Sequence, residues 1–293
     1  MRRPDTIGVV SSSSPIPAPD VLAAELRLRG IAVPGGPLRV DGYGDSAALS
    51  DELIGLIRSG RKRAGTGLLW AMEADGDAMP RTGDVEIVVD HAMRPALVTR
   101  LTSVDVRRYD AVDAAYAAIE GEGDGSLDFW QRGHWAFFGR ECRRIDREPD
   151  PAMPVVCSVF EVLHDLPALG IDGVLRLYAG VWNETDPRIA AHVVPLCLTP
   201  DAEIVGPGYR FHGHADVCGE IARFHRDDPG CRVVLTTGFD THGAWSRFAF
   251  ALLDPRGRTA NEGWDVARHA ADGRLEQVVT FWGALPPPPG PAA

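Results

Sequence analysis

Apolar residues recur at helical spacing at Leu49, Leu53, Leu56 and Ile57, with Asp45 or Ser46 placed to cap the start and Gly60 to stop the turn. The short apolar run at 67–72 predicts a strand, as do 85–90 and 96–106, and turns fall at Asp75-Gly76 and at residues 80–84. Val112, Ala115, Tyr116 and Ile119 predict a second helix, with Asp110 as its cap. The glycine-broken acidic stretch EGEGDG (120–125) reads as a loop. Ser126 then opens a third helix through FWQRGHWAFFGRE, and residues 155–163 read as a strand. Helical spacing resumes at Ile171, Val174, Leu175 and Tyr178, again at 188–194, and again at 215–225. Strands are expected at 202–205, 233–241, 245–253, 261–270 and 275–282, with Asp272-Gly273 as a hairpin turn between the last two.

Both halves are therefore mixed α+β with antiparallel strands dominant. No regular alternation of strand and helix is present, and no glycine-rich phosphate loop follows a strand, so a dinucleotide-binding parallel sheet is not expected. The expected organisation is a disordered N-terminus (1–19), a first domain (20–165), a second domain (166–285) and a Pro-rich tail (286–293), without internal repeats.

Charge narrows the partners. The chain has 30 basic and 41 acidic residues, net −11. The excess is acidic in both halves, 19 basic against 26 acidic up to and including Asp165 and 11 against 15 after it. Neither half can neutralise a long phosphate backbone, which leaves room only for a local basic pocket. No run of eighteen apolar residues exists, so no membrane partner is expected. Near the N-terminus the only apolar stretch is Ile7 to Val10, too short for a secretory signal, and a cytoplasmic location is expected. The five cysteines (142, 157, 197, 218, 231) lack metal-ligand spacing and read as reduced thiols. Neither a metal nor a cofactor is expected.

Lys62 is the only lysine, against 29 arginines. An amine can lose its proton when desolvated, and a guanidinium cannot. Coding bias is one reading of this. A position that needs a compact or deprotonatable amine is the other.

The segment YGDSAALSDELIGLIRSGRKRAGTGLLW, the loop Glu120-Gly121-Glu122-Gly123-Asp124 with Ser126-Leu127, then Trp130, His134, Phe137-Phe138 and the strand VVCSVFEVL resemble the ASCH family, a branch of the PUA-like β-barrels. The resemblance covers roughly residues 20–165. It implies a PUA-like barrel and recognition of a modified nucleoside or small RNA element. One branch of that family hydrolyses the acetamide of N4-acetylcytidine with a Lys, a Thr and a Glu. Lys62 and Glu120 match two of these. Gly65 stands where the Thr is expected, and Thr66 follows it. In such a trio a neutral Lys62 takes the proton of the Thr66 hydroxyl, and Glu120 orients the amine. Arg61, Arg63 and Arg132 would meet a phosphate or a base edge, with Trp130 or Trp135 stacking on the base and His134 beside it. Trp130, His134, Phe137 and Phe138 are equally the apolar face of a helix.

Residues 168–285 resemble the SnoaL-like branch of the nuclear transport factor 2-like superfamily, through LYAGVWNETDPRIAAHVVPLCLTPDAEIVGPG and the strands ending in x-D-G-R-hydrophobic. This implies an α+β cone with a curved antiparallel sheet, a pocket for a small apolar molecule, and a homodimer formed through the sheet. Asp265 lies mid-strand and, pointing inward, would suit acid–base work next to a carbonyl. Its alternative is an ion pair with Arg247 or another arginine. Arg247 shares its strand face with Ala249 and Ala251, expected to line the cone. Tyr178, Trp182, His214 and His242 are the further wall candidates. Three functions follow: an ASCH-type protein that hydrolyses a nucleoside amide, a non-enzymatic RNA- or nucleotide-binding module with a ligand-sensing or dimerising second domain, and an isomerase or cyclase using Asp265.

Overall fold

The computed structural model describes residues 17–284; the Pro-rich tail and all but the last three residues of the expected disordered N-terminus (1–19) lie outside them. Contacts divide the chain into two compact units, residues up to Leu22 with Val33–Ala168, and Ala23–Ala32 with residues from Leu169 onward. The division cuts through α1 (Pro19–Leu28). From Ala23 this helix belongs with the second unit, where Glu25 meets His192 at 2.9 Å and Arg27 meets Glu184 at 2.7 Å. The sequence reading had placed all of 20–165 in one domain.

The first unit holds β1 (Leu38–Gly42), α2 (Ala47–Arg58), β2 (Ala64–Leu68), α3 (Leu69–Asp75), β3 (Val85–Val89), β4 (Pro95–Arg108), α4 (Ala114–Glu120), α5 (Leu127–Arg144) and β5 (Pro154–Asp165). Its five strands run in the order β1-β3-β4-β5-β2, antiparallel except for the parallel pair β1–β3. The sheet curls, because Tyr43 just after β1 lies against Gly65 in β2 at the far end of that order. Helix α2 buries Leu49, Leu53, Ile54 and Ile57, and the Ser46 hydroxyl accepts a hydrogen bond from the Leu49 N–H. Ser126 caps α5 in the same way.

Two local readings change. The apolar run at 67–72 leaves the sheet after Leu68 and becomes α3, stopped by Gly76 in the left-handed region (φ 73°). A short apolar run carries no period that separates strand from helix, and the glycine stop decides. The cap of α4 is Asp113, whose carboxylate accepts from Tyr116 N–H at 2.8 Å, while Asp110 sits in a preceding 3₁₀ turn and pairs with Arg108.

The second unit holds α6 (Ile171–Val181), α7 (Pro187–Cys197), β6 (Leu198–Gly206), β7 (Tyr209–His212), α8 (Gly213–Asp227), β8 (Arg232–Leu235), β9 (Asp240–His242), β10 (Trp245–Leu253), β11 (Thr259–His269) and β12 (Leu275–Trp282). The sheet order is β7-β6-β12-β11-β10-β8, with β9 beside β10 and one parallel pair, β12–β6. Val174, Leu175, Tyr178, Val193, Val217 and Ile221 of the helices close on Phe248, Ala267 and Val278 of the sheet. The strand expected at 233–241 is broken in two. Between its halves the Thr237 hydroxyl takes the Ala249 N–H at 2.8 Å, a side chain standing in for the backbone ladder. The expected α+β class and two-part architecture are what the structure shows.

Candidate functional site

The segment that joins α2 to β2 is pinned on both sides. Arg61 and Lys62 N–H donate to the Leu56 carbonyl, and Arg63 N–H donates to the Ile119 carbonyl at 3.0 Å. Just past α4, Gly121 has φ 68° and lies so close to the Arg61 carbonyl that any Cβ there would collide with it. This approach sets Lys62 between Glu120 and Glu122, which stand on either side of the glycine.

Lys62 is 1% exposed, and its ammonium lies 2.5 Å from Glu122 Oε1, 3.3 Å from Glu120 Oε1 and 5.1 Å from the centre of the Tyr43 ring. Burial pushes the amine's pKa down, but the charges of Glu122 and Glu120 outweigh it and the net shift is upward. The expected neutral amine is therefore corrected: the niche is dry, yet two carboxylates hold Lys62 as a cation.

Glu120 is the hub. Its Oε2 accepts from the Thr66 hydroxyl at 2.8 Å and from Trp130 Nε1 at 2.6 Å, and His134 Nε2 lies 3.4 Å from its Oε1. Burial raises the carboxyl's pKa. Lys62, His134 and the indole N–H together override burial and pull it down to about 2. Thr66 is half-buried, and its Oγ1 is also 3.3 Å from the Tyr116 hydroxyl, which itself donates to the Gly65 carbonyl at 2.7 Å. Residues Lys62, Thr66 and Glu120 thus converge on one network.

The residues expected to grip a ligand divide differently. Trp130 is 3% exposed and stacked between Tyr109 and His134, so it offers no face to a base. His134 is fully buried, and its Nδ1 carries a proton because its partner is the Trp130 carbonyl, which can only accept. Both belong to the inner face of α5, as the helix-face reading had it. Arg61, Arg63 and Arg132 are exposed, Arg61 on the Gly123 carbonyl and Arg132 on Asp128. A cleft of about 490 Å³ runs past Arg58, Lys62, Arg63 and Phe160, but Thr66, Glu120, Trp130 and His134 are not in its wall.

Sequence reasoning missed four partners. Glu122 carries no signal in the sequence beyond its place in the acidic loop 120–125. Tyr43 and Tyr116 carried no signal beyond being aromatic. The fourth is a carboxyl pair: burial raises Asp41, and burial together with Asp41 pushes Glu86 up to about 8, so this pair holds a proton at neutral pH. A charged residue inside the apolar strand VEIVV was the signal available for Glu86.

In the second unit a cavity of about 240 Å³ lies between sheet and helices, with Tyr178, Trp182 and Asp265 in its wall. Asp265 is 4% exposed and accepts from the Thr280 hydroxyl at 2.6 Å, its cross-strand neighbour. Burial pushes its pKa up to about 7, against the hydrogen bonds from Thr280 and Tyr178. Three other wall candidates lie elsewhere. His214 Nε2 bonds the Leu198 carbonyl, His242 is exposed in β9, and Arg247 is exposed and pairs with Asp240 at 2.8 Å. The strand parity was assigned to the wrong face: Phe248, Phe250 and Leu252 line the cavity, so Arg247, Ala249 and Ala251 point the other way, and no Arg247–Asp265 ion pair forms.

The spacing of Lys62, the Glu120–Glu122 loop and the α5 aromatics agrees with the match of residues 40–164 to the ASCH domain family model. This part of the chain matches the ASCH domain. It is similar to an ASCH domain from Lactobacillus crispatus JV V101, with 29% identity over 49% of this chain and 94% of that one and a TM-score of 0.45. The C-terminal part is similar to a SnoaL-like family protein from Agrobacterium tumefaciens strain C58 (29% identity, 38% of this chain and 95% of that one, TM-score 0.37). It is also similar to a nuclear transport factor 2-like protein from Exiguobacterium sp. 255-15 (18% identity, 38% and 99%, TM-score 0.32). No curated protein matches the chain. Among the described residues no helix is long and apolar enough to cross a membrane, and no cluster of His, Cys, Asp and Glu could hold a metal ion.

Proposed function

We propose that the ASCH domain recognises a modified nucleoside and hydrolyses an acyl amide on it, of the kind found in N4-acetylcytidine. The observation that supports this most strongly is the Thr66 hydroxyl, half-buried and already donating to Glu120 at 2.8 Å. Thr66 Oγ1 would attack the amide carbon as its proton passes to Glu120. The C–N bond then breaks, the proton moves on to the departing nitrogen, and water cleaves the threonyl ester to release the carboxylic acid. A carboxyl held near 2 is a weak base at rest, so proton transfer and C–O bond formation must advance together. In this scheme Lys62 is a positioning cation rather than the base: it keeps Glu120 ionised and aimed at Thr66.

The same low basicity favours a second reading, recognition of a nucleoside or short RNA without turnover. Incubating the full chain with N4-acetylcytidine and resolving products by chromatography separates the two. Cytidine and acetate should appear with the native chain and not with Thr66→Val. Binding without product formation would leave only the second reading standing, and product formation that survives Thr66→Val would refute the mechanism.

The second unit, in this proposal, supplies a small-molecule site in its cavity and a self-association surface on the opposite sheet face. There Trp264 and Phe281 are direct cross-strand neighbours and both are exposed. Asp265, poised near 7 in an apolar wall, also fits proton transfer next to a carbonyl, which is the isomerase or cyclase alternative.

A further inference from the structure

The cavity of the second unit carries a charge problem that its own side chains leave unsolved. Its wall is mainly aromatic and aliphatic, with Tyr178, Trp182, Phe248, Phe250 and Trp282 around Asp265. Of the charged residues that line it, Glu220, Asp228 and Asp265 are acidic and only Arg223 is basic. Arg223 is committed to Glu220 and Asp227. The groups acting on the Asp265 carboxyl are the hydroxyls of Thr280 and Tyr178, neither of them charged, and among the described residues no cation stands beside it. Tyr209 of β7 also lines this space. A buried carboxylate without a counter-charge is costly, and aromatic faces attract a cation through the ring quadrupole.

We infer that this cavity takes a small organic cation, its ammonium group against the Asp265 carboxylate and its apolar body among the aromatic rings. The inference rests on the reading of the cavity as a small-molecule site and names the ligand class. A neutral carbonyl compound would need the opposite state of Asp265, the protonated acid donating a hydrogen bond, so pH discriminates between the two. With Asp265 titrating near 7, its ionised fraction rises from about a tenth at pH 6 to about nine-tenths at pH 8. Affinity for a cation should then rise about tenfold over that range, and affinity for a carbonyl ligand should fall.

The test is isothermal titration calorimetry of the full chain with three probes of similar size: benzyltrimethylammonium, whose charge does not titrate, 4-phenyl-2-butanone and phenylacetate. The expected result is binding of the ammonium alone, about tenfold tighter at pH 8 than at pH 6, with both binding and pH dependence lost in Asp265→Asn. The wild-type pH series needs no variant and so stands even if the substitution disturbs folding. Binding of the ketone in place of the ammonium, tighter at pH 6, would overturn the cation inference while keeping a small-molecule site. Failure of all three probes would count against the site itself.

Discussion

Replacing Lys62 by methionine keeps most of the side-chain volume and removes the one charge that Glu120 and Glu122 share. Both carboxylates stay where they are, 1% and 6% exposed, now without a cation between them. Breaking a buried ion pair from one side costs about 3–5 kcal/mol, because the charge left behind has lost both water and partner. A ceiling on the Lys62 share comes from Glu120, whose carboxyl drops from 4.5 to about 2 on folding under Lys62, His134 and the Trp130 indole together. At about 1.4 kcal/mol per pH unit that is roughly 3 kcal/mol of stability at neutral pH. The sign follows from linkage. A folded pKa below the unfolded one gives stability that is fully present above 4.5 and is lost as the pH falls through that value toward 2. In Lys62→Met burial pushes the Glu120 carboxyl up instead, so the folded variant takes up protons more readily and its deficit shrinks as the pH is lowered from 8 to 5. Hydrogen exchange read by mass spectrometry on peptides covering 62–68 and 114–122 measures opening of this unit directly. Exchange in the variant should be faster by about a hundred- to several thousand-fold at pH 8, with a smaller ratio at pH 5. A ratio under about threefold at pH 8, or one that grows on acidification, would refute the view that the ammonium holds the two acids.

Three further outcomes follow from the same structure. Gly121→Ala combines a left-handed backbone with a collision against the Arg61 carbonyl, so it should cost at least about 2 kcal/mol and lower the melting temperature, whereas Gly219→Ala, which meets nothing, should not. Thr66→Val keeps the shape of β2 but deletes the donor to Glu120. Thermal melts should show a loss of about 1 kcal/mol, while any hydrolysis of N4-acetylcytidine should fall by more than a hundredfold. Trp264→Glu with Phe281→Glu places charge on the exposed outer sheet face, and light scattering after size exclusion should show a native dimer becoming a monomer, with the native chain running as a monomer as the contrary result.

How far the site could be read from the sequence differs from residue to residue. Lys62 stood out by composition, and its pairing with Glu120 followed from the ASCH resemblance, because both lie on short segments whose register is fixed by helix caps and glycines. Glu122 was illegible for the converse reason: only the positive φ of Gly121 folds the loop back so that residues two apart face one ammonium. The protonation of Lys62 was misread because desolvation was weighed alone, while the outcome depends on how many carboxylates share the niche. Trp130 and His134 could not be assigned from helical spacing, which gives the face they share and not what covers it. In the second unit, the strands β10 to β12 fall where the sequence places them, with Asp272-Gly273 dividing the last two, yet the inward face of β10 was inverted. Alanines alternate there with large aromatics, and both sets are apolar enough to be inside. The contacts of Ala23–Ala32 with residues far along the chain leave no local trace at all.

Because Lys62 is the only lysine, selective ¹⁵N and ¹³C labelling of lysine yields a single side-chain signal from the intact protein. Following that signal from pH 5 to pH 11 reads the charge of the amine directly. The account predicts an ammonium that persists beyond the ordinary lysine value of 10.5, held by Glu120 and Glu122. A signal that loses its proton near pH 7 would contradict it and return the amine to the role of base.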